Sequence, residues 1–494
     1  MRTFKVLGLV LVVLVLASVT SNVARAQVSI GGIGGIGVEP VGPECGEPDD
    51  PIGSCEVIPN KELMITDLCV VEDPCRSKWN GGLCTVNSQG AWTFGKLMAS
   101  IAGFSSINED PQALSQFTVS WLKQILTTHD VNGFDVLGRS GMDAFLDNWA
   151  IVSGFSSWED PDLVLDMTLA PFRLLAIVAR MDLRKAPSGY SGGSAGEGRF
   201  VFGMLGINPQ FPNNPDQWFS LSGTVILEYS LPATTCEDVV EWADRWHALG
   251  SIPFGPSYNA ALQEITDDFA GFDAAPDRPN GSSISQVRTN EIAFSGPWEL
   301  REFRLVPSPL TVVGPVPLTQ VAVAQTPDIK FNTTEADVLT KYLDENETAI
   351  LNGTHEIPLV FKDKPFRAGS ALVPSTQFFW SNDPFNCTET RHLFALNTCN
   401  GCHARETNTQ FLQVFPRSIG SESGLSTFLT GDPFGVTDPT CPQPPDDGAV
   451  IRFFHDLERR ALDLCDILEM GCTDFDQDAE ADMFSTPHLS TAVH

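Results

Sequence analysis

Cys399, Asn400, Gly401, Cys402 and His403 form the run C-x-x-C-H. Two thiols three positions apart can each add to one vinyl group of a single haem, and the imidazole on the next residue can coordinate the iron from one axial side. The same residue types serve other chemistries, and spacing ranks them. A structural zinc site needs four ligands, and the nearest second pair, Cys387 with His392, lacks the matching spacing. Thiol–disulfide exchange sites place C-x-x-C at the start of a helix that follows a strand, and no strand pattern leads into Thr398. A plain disulfide between Cys399 and Cys402 is the bland alternative. Covalent haem attachment is what the pattern supports best.

By this motif the region resembles a c-type cytochrome domain, with the likeness sharp only from Cys399 to His403. The resemblance implies that Cys399 and Cys402 carry the thioether bonds of one haem c and that His403 is the proximal iron ligand. It also implies that a proline-containing loop, here at Pro416, supplies the carbonyl that takes the other ring N–H of the histidine. Arg405 and Arg417 are near enough in sequence to reach a haem propionate. A sixth ligand would be a methionine or a second histidine, and Met470, Met483, His455, His488, His494 and His392 all stay open. Elsewhere, runs such as Ala170 to Ile177, Gly196 to Gly203 and Arg288 to Ile292 resemble large exported bacterial proteins of unassigned function; Arg173, Glu197, Arg199 and Glu291 are the charged residues there that can line a site.

The elements that must position these residues are read from periodicity. Apolar residues recur at helical spacing over 92–101, 112–127, 238–249, 388–397 and 451–470, the last with Phe454, Leu457, Ala461, Leu464 and Leu468 on one face. Alternation predicts strands over 198–205, 223–231, 287–294 and 298–306, with a turn at Ser295-Gly296-Pro297. The expected fold class is α+β: a body of mixed helices and antiparallel strands over 61–365, then a C-terminal, mainly helical, cytochrome c-like haem domain over 366–494. Residues 27–60, rich in Gly and Pro, read as a linker.

Arg2 and Lys5, an apolar run from Val6 to Val19 and the triplet Ala24-Arg25-Ala26 fit residues 1–26 as a secretory signal cleaved after Ala26. Cleavage removes three cations and no acid, taking the formal charge from −32 to −35. Such a charge repels phosphate backbones and anionic headgroups, which argues against nucleic-acid and membrane-surface binding. No later segment is apolar enough for a span, so no membrane insertion is expected after cleavage. Of twelve cysteines, ten remain once the motif is set aside, an even number suited to disulfides in an oxidising compartment. Local pairing suggests Cys45 with Cys55, Cys69 with Cys75 or Cys84, and Cys465 with Cys472.

Together these observations predict an exported haem c protein that moves single electrons in the periplasm or outside the cell, through an unidentified redox partner. Two alternatives stand beside it. One is a haem-dependent oxidoreductase of peroxidase-like character, and the other a disulfide-rich exported binding or structural protein without haem.

Overall fold

The computed structural model describes residues 42–79, 84–185, 194–233, 235–307 and 314–472. The signal and residues 27–41 of the linker expected from sequence lie outside these residues, as do Met483, His488 and His494, whereas residues 42–60 are described. All described residues belong to one compact unit, Val38–His494.

Its centre is an eight-stranded antiparallel sheet. The strands are β1 (Met64–Ile65), β2 (Phe172–Arg180), β3 (Glu197–Gly206), β4 (Phe219–Ser230), β5 (Ile284–Asn290), β6 (Trp298–Leu305), β7 (Leu318–Val321) and β8 (Ala371–Val373). The path runs β1-β2-β3-β4-β5-β6, and β7 and β8 share the outer edge of β6. The register gives the sheet two unlike faces. Phe200, Phe202, Val225, Leu227, Val287 and Phe303 fall on one; Arg199, Glu228, Arg288 and Glu302 fall on the other.

Helices cover the apolar face: α1 (Phe94–Ile101), α2 (Pro111–Leu126), α3 (Gly141–Val152) and, after α4 (Cys236–Ala248), α5 (Pro256–Ala270). α2 shows why. Asp110 caps it by accepting from the Ala113 amide at 2.9 Å, Pro111 suits its first turn, and Leu114, Phe117, Trp121 and Ile125 form its buried stripe. Trp121 meets Phe303 edge-on at 5.9 Å, and Phe94 of α1 stacks on Phe172 at 3.9 Å. Among the described residues no helix is long and apolar enough to cross a membrane.

The charged face is covered by the C-terminal third, and this corrects the expected fold class. A separate, mainly helical cytochrome c-like domain is absent from the described residues. Beyond residue 365 the chain supplies β8 to the sheet, then α7 (Glu389–Leu396), the single turn α8 (Cys399–Cys402) and α9 (Asp456–Met470), preceded by α6 (Ala336–Leu351). Ala371 and Val373 are buried opposite Leu300 and Trp298, so this stretch gains its burial by extending the sheet instead of closing a core of its own. One continuous core runs from Val57 through Phe394, Cys399 and Cys402 to Ile467.

Five disulfides join Cys45–Cys69, Cys55–Cys465, Cys75–Cys84, Cys236–Cys472 and Cys387–Cys441. The local pairings Cys45–Cys55, Cys69 with Cys75 or Cys84, and Cys465–Cys472 are thereby overturned. Cys55–Cys465 and Cys236–Cys472 instead tie α9 and its end to the body.

Candidate functional site

The C-x-x-C-H run sits on a corner between two helices. α7 ends at Leu396, and Thr398 then caps α8, its Oγ1 accepting from the Gly401 amide at 3.0 Å and donating to Ala395 O at 2.8 Å. The Trp380 indole N–H donates to Thr398 Oγ1 and Asn400 Oδ1, both at 2.9 Å, and from the body Thr326 Oγ1 accepts from the Cys399 amide at 3.0 Å. These bonds fix the turn that carries both thiols.

Cys399 and Cys402 are the two cysteines of the chain outside disulfides, and both are fully buried. Burial pushes both thiols up, Cys402 well above its ordinary value. A thiol–disulfide exchange site requires the reverse, an accessible thiol of depressed pKa. Zinc on Cys387 and His392 fails for a different reason: Cys387 is bonded to Cys441. His392, Glu406 and Asp438 do converge within 4.8 Å, but Arg391 is already among them, bonding Glu406 at 2.6 and 2.9 Å and Asp438 at 3.0 Å. Burial pushes the Glu406 carboxyl up, yet the His392 hydrogen bond and the Arg391 charge outweigh it and hold that group below its usual range. This network locks α7 onto the loop that follows the motif.

His403 is buried, and its Nδ1 donates to Phe411 O at 2.7 Å. A carbonyl can only accept, so Nδ1 carries the proton and the lone pair of the neutral ring is on Nε2. Burial, with Arg288 nearby, lowers its pKa to about 4, so the ring is neutral at pH 7. The carbonyl role expected of the Pro416 loop belongs to Phe411, eight residues on. Against the ring lies Trp298 of β6, stacked at 5.0 Å, with Phe411 stacked on the same indole at 6.2 Å.

A small cavity of about 50 Å³ opens beside His403 on the charged face of the sheet, with Arg199, Glu228, Arg288, Leu300, Gln413 and Arg460 in its wall. Gln413 also brings its Nε2 to 3.7 Å from Cys402 Sγ. Most of the wall charge is matched: Arg199 bonds Glu197 at 2.6 and 2.8 Å, and Arg288 bridges Glu228 at 3.2 Å and Glu302 at 3.1 Å. Arg460 differs. It pairs ionically with Asp456 at 2.6 Å, but its Nε, Nη1 and Nη2 are buried without a hydrogen-bond acceptor among the described residues. Burial, with Arg180 adding to it, lowers its pKa to about 10. An arginine so placed fits the carboxylate of an anionic group in the cavity. With two unbridged thiols and a neutral imidazole whose lone pair is on Nε2, the donor set fits a covalent haem.

The other candidates from sequence lie elsewhere. His392 spends Nδ1 on Glu406, His455 sits half-exposed before α9, and Met470 is about half-exposed at the end of α9. Arg417 pairs with Glu72, and the Arg405 guanidinium lies over the Phe379 ring at 5.4 Å, so neither is in the wall of this cavity. Arg199 does line it, with Glu197 beside it, whereas Glu291 bonds Arg301 at 2.9 Å and Arg173 lines a separate cavity. Sequence reading missed Trp298, Phe411, Arg288 and Arg460 as parts of the site. Only Arg288 carried a signal, an arginine at strand spacing. No family model, curated protein or solved structure matches the chain.

Proposed function

We propose that this chain is an exported protein with one covalently bound haem c, held by Cys399 and Cys402 with His403 as axial iron ligand, and that it passes single electrons to or from a redox partner outside the cytoplasm. The observation that carries this reading is a coincidence of chemistry. Ten of twelve cysteines are paired, the two left over are those of the motif, and the next residue is a neutral histidine with its lone pair on Nε2. Bound there, a haem supplies an iron that changes oxidation state by one electron.

The chain's own residues hold and shield that group. Phe411 O and Trp298 orient the imidazole, Arg460 would hold an anionic substituent, and the buried wall from β3 to β6 would keep water away. The scaffold is the large sheet with its C-terminal cover. Export agrees with the disulfides, which form and persist in oxidising compartments, and with the signal pattern up to Ala26. A second reading, an exported binding protein without haem, is favoured by the same disulfides.

A reduced-minus-oxidised visible spectrum decides between them. Protein made with haem-maturation machinery is predicted to show a sharp reduced band that survives acid–acetone extraction and weakens in Cys399→Ala and Cys402→Ala. A change on adding carbon monoxide would assign an open iron and the enzyme alternative. A colourless protein contradicts the haem reading.

A further inference from the structure

We propose that a second cavity, between α1, the start of β2 and residues 213–217, binds a small organic carboxylate with an apolar or aromatic body. The cavity is open to solvent and has a volume of about 320 Å³. Its inner wall is apolar, built from Phe94, Met167, Phe172 and Phe202, while its rim carries Asn213, Asn214 and the exposed Lys78–Asp216 pair at 3.0 Å.

Between wall and rim sits Arg173, 8 % exposed. Its Nη1 donates to Arg417 O at 3.0 Å and its Nη2 to Pro215 O at 2.9 Å, and no carboxylate lies within ion-pair distance among the described residues. Two carbonyls use two of five N–H donors, and neither neutralises the charge. Burial, then the neighbouring Arg417, lowers its pKa to about 10. Arg417 is satisfied by comparison, through Glu72 and the carbonyls of Val71 and Leu174. The Trp79 indole N–H, in the same wall, also lacks an acceptor among the described residues.

The charges of Asp216 and Glu72 reach Arg173 from beyond contact and offset only part of the burial, and a buried cation with no carboxylate in contact is unfavourable unless something supplies one. In a chain of net charge −32, its persistence at the wall of an open cavity marks where an anion is taken. The forked guanidinium suits a carboxylate, the phenylalanines suit an apolar body, and Asp216 at the rim opposes a dianion such as phosphate. The site is beside the cavity at His403: Val414 lines that one and Arg417 this one, three residues and at most about 11 Å apart. No residue of the C-x-x-C-H run lines it, so the inference stands independently of haem.

The test is calorimetric titration of the full mature protein with phenylacetate, phenylacetamide and inorganic phosphate. The variants are Arg173→Gln, Arg173→Lys and Cys399→Ala/Cys402→Ala. Expected is saturable phenylacetate binding, about 10-fold weaker for the amide and for Arg173→Gln, partly restored by Arg173→Lys and unchanged in the double cysteine variant. Absent binding, equal affinity for the amide, tighter binding of phosphate or indifference to Arg173→Gln would overturn it. Loss in the double cysteine variant would also overturn it, by moving the ligand to the His403 cavity. If Arg173→Gln does not fold, the acid-against-amide comparison on the wild type decides alone.

Discussion

His403 and His355 are both buried, and burial lowers the pKa of each to about 4, yet only His403 has a hydrogen-bond acceptor that fixes its tautomer. Neither ring nitrogen of His355 has a partner among the described residues, and the ring lies near Phe394 at 6.4 Å. On the proposed function that difference separates an iron ligand from a residue that is simply desolvated, and its burial gives His355 a thermodynamic signature. Its folded-state pKa is below the unfolded one, so stability is fully present above about pH 6.5 and is lost as pH falls towards 4. By pH 5 one such group takes away about 2 kcal/mol. His355→Phe keeps a ring and removes the titration. Urea unfolding between pH 7 and 5 should therefore show an acid loss smaller by about that amount, and parallel curves for variant and wild type would refute it. At this scale the sequence displayed the site's donors but not their neighbours. The identity of Cys399, Cys402 and His403 was plain, whereas Phe411 acts through a backbone carbonyl, which any residue possesses.

The corner between α7 and α8 depends on Gly401. A Cβ there would lie 2.1 Å from Ala395 O and 2.6 Å from Thr398 Oγ1, so α8 could keep its place only by shifting off α7. Gly401→Ala is predicted to cost about 1–3 kcal/mol in thermal unfolding and to lower haem content. A variant with wild-type melting and full haem loading would show that the corner has slack. Element by element, periodicity found several elements: helices expected at 112–127 and 388–397 occur as Pro111–Leu126 and Glu389–Leu396, and the strand expected at 198–205 as Glu197–Gly206. It failed for β2, whose nine residues are buried on both faces and so show no alternation, with an irregular register between Leu174 and Ala176. On the charged face it could not tell buried pairs from solvated ones. Arg199, Glu228, Arg288 and Glu302 alternate with apolar residues as a solvated face would, but here they are buried beneath the C-terminal segment.

Across the whole molecule, the C-terminal third is a cover for the sheet and not a module. Residues 366–494 alone would lack the β6 partner of β8 and the cysteines that pair with Cys465 and Cys472. Expressed as a fragment, they are predicted to give no cooperative unfolding transition, and a folded, haem-loaded fragment would contradict the fold described here. Disulfide number was legible because ten is even. Connectivity was not, since Cys55 and Cys465 are 410 residues apart and only the fold brings them together. The central claim, one haem on Cys399 and Cys402, is tested most directly by the intact mass of non-reduced protein exported with haem-maturation machinery. The predicted mass is that of a chain starting at Gln27 with five disulfides and one haem. A mass without haem, with two further hydrogens lost to a Cys399–Cys402 bridge, would contradict it.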